Sequence, residues 1–152
     1  MSDPLALPAE EAPPASRMAV AVLSLVGLFI AGYLALYKLG YFGMIQCGTG
    51  GCETVQSSRY AYFLGVPVAV WGVGEYLALL VVALLGVQPR WSGARWVALA
   101  LFAISAVGVV FTAYLTYLEA AVINAWCRWC IASAVVITLI FLFTIPGLRR
   151  AR

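Results

Sequence analysis

Residues 125–130 read Ala-Trp-Cys-Arg-Trp-Cys, with two thiols, Cys127 and Cys130, three positions apart and directly before a long apolar run. That spacing suits a tight structural disulfide, half of a metal site, or a redox-active pair. If the two residues open a helix, they share one face near its N-terminus. There the unpaired N–H groups and the helix dipole favour a thiolate, and Arg128 adds positive charge nearby. A second pair, Cys47 and Cys52, encloses Gly-Thr-Gly-Gly, a segment able to bend and bring either sulfur to a partner. The chain has four cysteines and no histidine. Imidazole is thereby removed as metal ligand, haem ligand or general base, and with it most metalloenzyme and triad chemistries.

The elements that must position these thiols are written in the hydropathy. Of the 152 residues, 64% are hydrophobic and 10% charged, and the mean hydropathy is +1.00. Such a composition belongs to a bilayer rather than to water. A net charge of +3 is too small to suggest nucleic acid as a partner. Apolar runs extend from about Met18 to Tyr37, Val66 to Val87, Trp96 to Leu118 and Cys130 to Ile145, each close to the roughly 20 residues that cross a hydrocarbon core. Pro67 and Pro146 stand at run edges, where a helix tolerates a start or a stop. The expected fold is an all-α integral membrane protein: a four-transmembrane-helix bundle with a cysteine-bearing extracytoplasmic loop and a short interfacial helix within 53–63. Residues 1–16, rich in Pro, Ala and acid, read as a disordered cytoplasmic tail, residues 17–146 as the catalytic domain, and 147–152 as a basic cytoplasmic tail.

With four spans, one side receives Arg17, Arg90, Arg95, Arg149, Arg150 and Arg152, and the other Lys38, Arg59 and Arg128. The excess points to both termini in the cytoplasm of a multi-pass inner-membrane protein. All four cysteines then fall on the extracytoplasmic face, the oxidising side in a bacterium. Cysteines used only as small core residues would not segregate in this way. One flexible pair and one pair at a helix start form a thiol–disulfide relay. Electrons reaching the CxxC need an acceptor, and the chain carries no flavin or nucleotide fingerprint and no haem ligands. A membrane quinone needs only an apolar pocket with a few polar contacts, expected beside the fourth-span N-terminus with Tyr60, Tyr114 and Tyr117 as candidate lining residues. Glu75 is the one carboxylate expected within a span. It is either a proton path or a carboxyl held against a neighbouring backbone, and nothing else in the sequence marks a proton wire. Two rival readings exist. One is a non-catalytic membrane metal carrier using the four thiolates, and the other is a bundle stapled by inert disulfides.

The order of these features, a spaced loop pair first and a CxxC last, resembles the bacterial membrane branch of the vitamin K epoxide reductase family over about residues 18–146. The resemblance also rests on Ser57-Ser58-Arg59-Tyr60, Gly65 and Pro67 before the second span, Tyr76 within it, and Tyr114-Leu115-Thr116-Tyr117 late in the third. It implies a quinone-dependent thiol-disulfide oxidoreductase: a four-helix bundle around a quinone (ubiquinone or menaquinone), with the loop as a lid. By the same resemblance, Cys47 and Cys52 shuttle electrons from a thioredoxin-like partner, Cys127 exchanges with the loop pair, and Cys130 faces the quinone. Ser58 matches a polar lid residue, Tyr60 an aromatic beside the quinone, and Leu115 a pocket residue. No metal site is implied. Ala134 stands where vertebrate members have a vitamin-contacting tyrosine, so epoxide reduction is not implied. Many bacterial relatives carry a fused thioredoxin-like domain that this sequence lacks, so a separate dithiol protein is the expected partner.

Overall fold

A computed structural model describes residues 15–44 and 51–150. Among the described residues five α-helices run in chain order: α1 (Ala15–Lys38), α2 (Gly51–Ser57), α3 (Val68–Val87), α4 (Arg95–Tyr117) and α5 (Arg128–Arg150). A π-helical turn, Leu118–Ile123, extends α4. Four segments are long and apolar enough to cross a membrane: Ala15–Lys38, Val68–Val87, Arg95–Ile123 and Arg128–Arg149. The chain is thus an all-α, multi-pass membrane bundle. In hydrocarbon every backbone polar group must be satisfied within the protein, which makes long unbroken helices the economical solution. Their outer faces carry Phe29, Val107 and Val110, each about 70% exposed or slightly more. In water such a surface would be a liability, whereas here lipid is the solvent.

Helix α1 packs along α3 and α5, and α4 packs along α5 and, less extensively, α3. Close approach depends on small residues, as expected where no hydrophobic effect drives helices together. The Tyr76 ring of α3 lies over Gly27 of α1, where a Cβ would stand 2.2 Å from the ring. The Tyr76 hydroxyl reaches across to α5, bonding the Ser133 carbonyl at 2.9 Å and its hydroxyl at 2.8 Å. At the end where α1 begins, Arg17 is buried and donates to the carbonyls of Gly86 (2.8 Å), Ser92 (2.5 Å) and Trp91 (3.4 Å).

At the other end lies a lid. Helix α2 is followed by a 3-10 turn, Arg59–Ala61, and a two-residue antiparallel hairpin pairing Tyr62–Phe63 with Val66–Pro67. Leu64 (φ 55°) and Gly65 (φ 79°) form its turn. Two successive positive φ values match the twist of the flanking strands, and Leu64 adopts a conformation uncommon for a bulky residue. Lys38, at the end of α1, donates to the Gln56 carbonyl and sits 4.5 Å above the Tyr62 ring, fastening the lid to the bundle.

The element boundaries differ from the sequence expectation in instructive places. The lid helix spans 51–57 rather than lying within 53–63, so Cys52 belongs to a helix and not to a flexible loop. Ala15 and Ser16 are already helical, while the rest of the expected tail lies outside the described residues. Helix α5 begins before Cys130 and continues through Pro146 to Arg150. Proline removes one intrahelical donor, a loss that hydroxyl side chains help to offset in membrane helices. The Thr144 hydroxyl donates to the Phe141 carbonyl at 2.6 Å one turn earlier, next to the Leu142 carbonyl that Pro146 leaves without its donor.

Candidate active site at the thiol end

Cys127 immediately precedes α5 and Cys130 sits in its first turn, so the three-residue spacing brings both sulfurs to the helix start. Both are free thiols, Cys127 fully buried and Cys130 partly so. The Cys130 N–H points at the Cys127 sulfur at 3.3 Å. Cys127 is held below the ordinary thiol range, chiefly by the hydrogen bond from the Cys130 side chain, while burial works in the opposite direction. The backbone N–H groups of Cys130 and Trp129 add to the lowering, and the nearby Glu119 opposes it. The helix-start geometry read from the CxxC therefore does act on a thiol. Arg128 is exposed and is not among the groups acting on Cys127.

The lid reaches the same sulfurs. Cys52 is fully buried within the core cluster that also contains Cys127. It is disulfide-bonded, with its partner outside the described residues; Cys47 also lies outside them. Contact between α2 and the segment before α5 requires glycine at 51, where a Cβ would stand 2.2 Å from the Trp126 carbonyl oxygen. Gln56, buried on the same helix, donates from Nε2 to the Cys130 sulfur at 3.6 Å. Its backbone carbonyl is the one held by Lys38.

Under the lid is an apolar cavity of about 120 Å³, where a single water needs roughly 10–15 Å³. Ser58, Tyr60, Leu115 and Cys130, all singled out in the sequence, line it. Tyr114 is 52% exposed and is not in the lining; its ring lies 6.5 Å from that of Phe111, which does line the cavity. Tyr117 is likewise outside it, 61% exposed. One helical position separates these tyrosines from Leu115 and Thr116, and the apolar sequence gives no sign of which side faces inward. The walls combine aliphatic and aromatic surface with hydroxyl, amide and carboxyl groups, a chemistry suited to a flat ring bearing two carbonyls on a greasy tail.

Two functional candidates escaped the sequence reading. Glu119 is 4% exposed in the π-helical turn, lines the cavity, and accepts the Cys127 N–H at 3.1 Å. The turn ends at Asn124 in the left-handed region (φ 56°), a conformation asparagine tolerates better than most residues. A π-helical turn shifts the face a residue presents and recurs at functional sites; no local sequence pattern announces one. Gln56 was equally silent, a single amide in a polar loop.

The vitamin K epoxide reductase family model matches residues 18–145. The chain belongs to that family. It is therefore a membrane oxidoreductase by family, and members of the family use quinones in general. The match takes in the lid, the second and third spans, and most of the first and fourth, so it reaches every element around the thiols.

Proposed function

We propose that this family member is a thiol:quinone oxidoreductase that generates disulfides for secreted proteins at the extracytoplasmic face of the inner membrane, with both termini in the cytoplasm. The observation that carries the reading is a free Cys127/Cys130 pair, with Cys130 lining an apolar cavity, beneath a helix that bears a disulfide-bonded Cys52. In this reading residues 17–146 form the catalytic domain.

A thiolate of a separate thioredoxin-like dithiol protein attacks the Cys47–Cys52 disulfide. The partner's second thiol then resolves the mixed disulfide, leaving the loop pair reduced and the partner oxidised. A loop thiolate next attacks the Cys127 sulfur of the Cys127–Cys130 disulfide, and its loop neighbour closes on it, leaving Cys127 and Cys130 as thiols. Lowering of the Cys127 pKa makes that sulfur the better leaving group when the loop pair closes. Quinone, either ubiquinone or menaquinone, supplies a two-electron acceptor. Cys130 presents its sulfur to the cavity, Gln56 orients that sulfur, and Glu119 holds the Cys127 backbone in place. Ser58, Tyr60 and Leu115 shape the pocket, while Tyr114 supports it through Phe111 at one remove.

The deciding experiment is quinone reduction by the purified protein, with dithiothreitol or a reduced thioredoxin-like protein as donor. The wild type should turn over and Cys130→Ser should not. A wild type that reduces no quinone overturns the proposal, and stoichiometric bound metal on all four thiols would replace it with the metal-carrier reading.

A further inference from the structure

Glu75 is the carboxyl that the thiol relay does not use. It lies in α3 about two turns in from the lid end and lines the same cavity as Cys130. Its Oε1 is buried and has no hydrogen-bond partner among the described residues. The carboxyl fills the space that a side chain at residue 108 of α4 would otherwise take. A Cβ on Gly108 would stand 1.9 Å from Oε1 and 2.8 Å from Cγ1 of Ile137. Ile137 follows Cys130 by seven positions on α5, ~10 Å along a helix. The carboxyl and the Cys130 thiol therefore sit at different depths of one cavity, the thiol at the lid and the acid toward the bilayer interior.

A carboxyl with an orphaned oxygen at this depth is costly and needs a reason. A purely structural carboxyl would engage both oxygens with neighbouring backbone or hydroxyl groups, yet Oε1 bonds neither. As an anion it would need a counter-charge, and the charged or ionisable side chains that line the cavity with it are Tyr60, Tyr76, Glu119 and Cys130, none of them cationic. Tyr76 is committed to Ser133 and Glu119 to the Cys127 N–H. Glycine at 108 leaves room for this carboxyl.

We propose that Glu75 is a catalytic proton donor to the quinone oxygen that lies away from the thiols. This rests on the thiol:quinone reading above. When the Cys127–Cys130 disulfide closes, the two thiols lose two electrons and two protons, and quinone gains the same number as its two carbonyls become hydroxyls. Glu75 gives its proton to the deeper ring oxygen and takes back one of the two protons released by the thiols. The other thiol proton reaches the ring oxygen nearer the lid. The carboxyl ends each cycle as it began, and atoms and electrons balance without a further reactant.

The test uses the full chain in lipid nanodiscs, comparing wild type with Glu75→Gln and Glu75→Asp. A short-chain ubiquinone serves as probe. The first readout is the infrared carboxyl band on adding the oxidised quinone. The wild type should show a protonated-carboxyl band that shifts on binding, and Glu75→Gln should lack it. The second is a single-turnover reaction of the pre-reduced protein. Quinone reduction should slow about 10²-fold in Glu75→Gln and recover in part in Glu75→Asp. The third is reduction of both cysteine pairs by dithiothreitol, counted by alkylation, which should be unchanged in both variants. Reduction of quinone by Glu75→Gln within a few-fold of wild type overturns the proposal and leaves the thiol:quinone reading standing. A wild type that reduces no quinone overturns both. If Glu75→Gln fails to fold, the wild-type infrared arm decides, since an acid band indifferent to quinone also sinks the idea.

Discussion

At the end of the bundle where α1 begins, Arg17 is buried and its guanidinium donates to three carbonyls of the α3 terminus and the loop after it. Gly86 lets that side chain in, since a Cβ there would meet Val97 at 2.7 Å and the Arg17 stem at 3.1 Å. The buried guanidinium finds its acceptors there and the backbone is ordinary. At the thiol end the pattern reverses. Both non-glycine residues with positive φ among those described, Leu64 and Asn124, lie there. So do the π-helical turn, the lid and the cavity, with the orphaned Glu75 oxygen deeper within it. Irregular backbone is tolerated where thiols must meet a ring. The firm end lets the loose end exist.

That contrast can be broken from either side. The largest effect should come from Cys127→Ser, which removes the exchanging thiol. Quinone reduction with a dithiol protein as donor should fall more than about 10³-fold, with unfolding unaltered in a detergent melt. Next comes Gly51→Val, which sets a side chain against the Trp126 carbonyl and lifts α2 from the second pair. Misplacing reacting groups by ~1 Å can cost about 10²-fold in rate. The loss should appear in transfer between the two pairs, measured by quenching and alkylation, while reduction of the loop pair by dithiothreitol stays near wild type.

Arg17→Met sharpens the comparison from the firm end. It abandons one buried and two part-buried carbonyl acceptors, and one hydrogen bond to a charged group is worth about 1.5–3 kcal/mol, so stability should fall by roughly 3 kcal/mol. Turnover per folded molecule should not change, and a comparable drop in the rate constant would show that the two ends are not independent. The smallest effect is spectroscopic. In a Cys47→Ser/Cys52→Ser background, the reduced Cys127 should remain a thiolate at lower pH than a free cysteine, because its pKa is lowered. Replacing Cys130 with alanine removes the main cause, and the thiolate absorbance should then appear only at higher pH, with burial and Glu119 left opposing ionisation. A midpoint unmoved by that replacement would place the cause elsewhere.

The sequence by itself determined the membrane class, the four spans and the coincidence of Cys52, Cys127 and Cys130 at one end. These follow from hydropathy and spacing, which are local properties: an apolar run of sufficient length has no other stable state in a bilayer. It also put Cys130, Ser58, Tyr60 and Leu115 where they line one cavity, through their resemblance to a family the chain is shown to belong to. The tertiary structure alone decided which face of α4 turns inward, and so why Leu115 lines the cavity while Tyr114 faces outward. In a helix apolar all round, no periodicity marks the buried side. Helix α2 was likewise undecidable from its own residues, because Gly51 opens it only where the Trp126 backbone passes close by. Glu119 and the orphaned Glu75 carboxyl acquire their meaning from neighbours distant in sequence. Burial and hydrogen-bond partnership are relations between segments, and a sequence read along its length contains only one side of each.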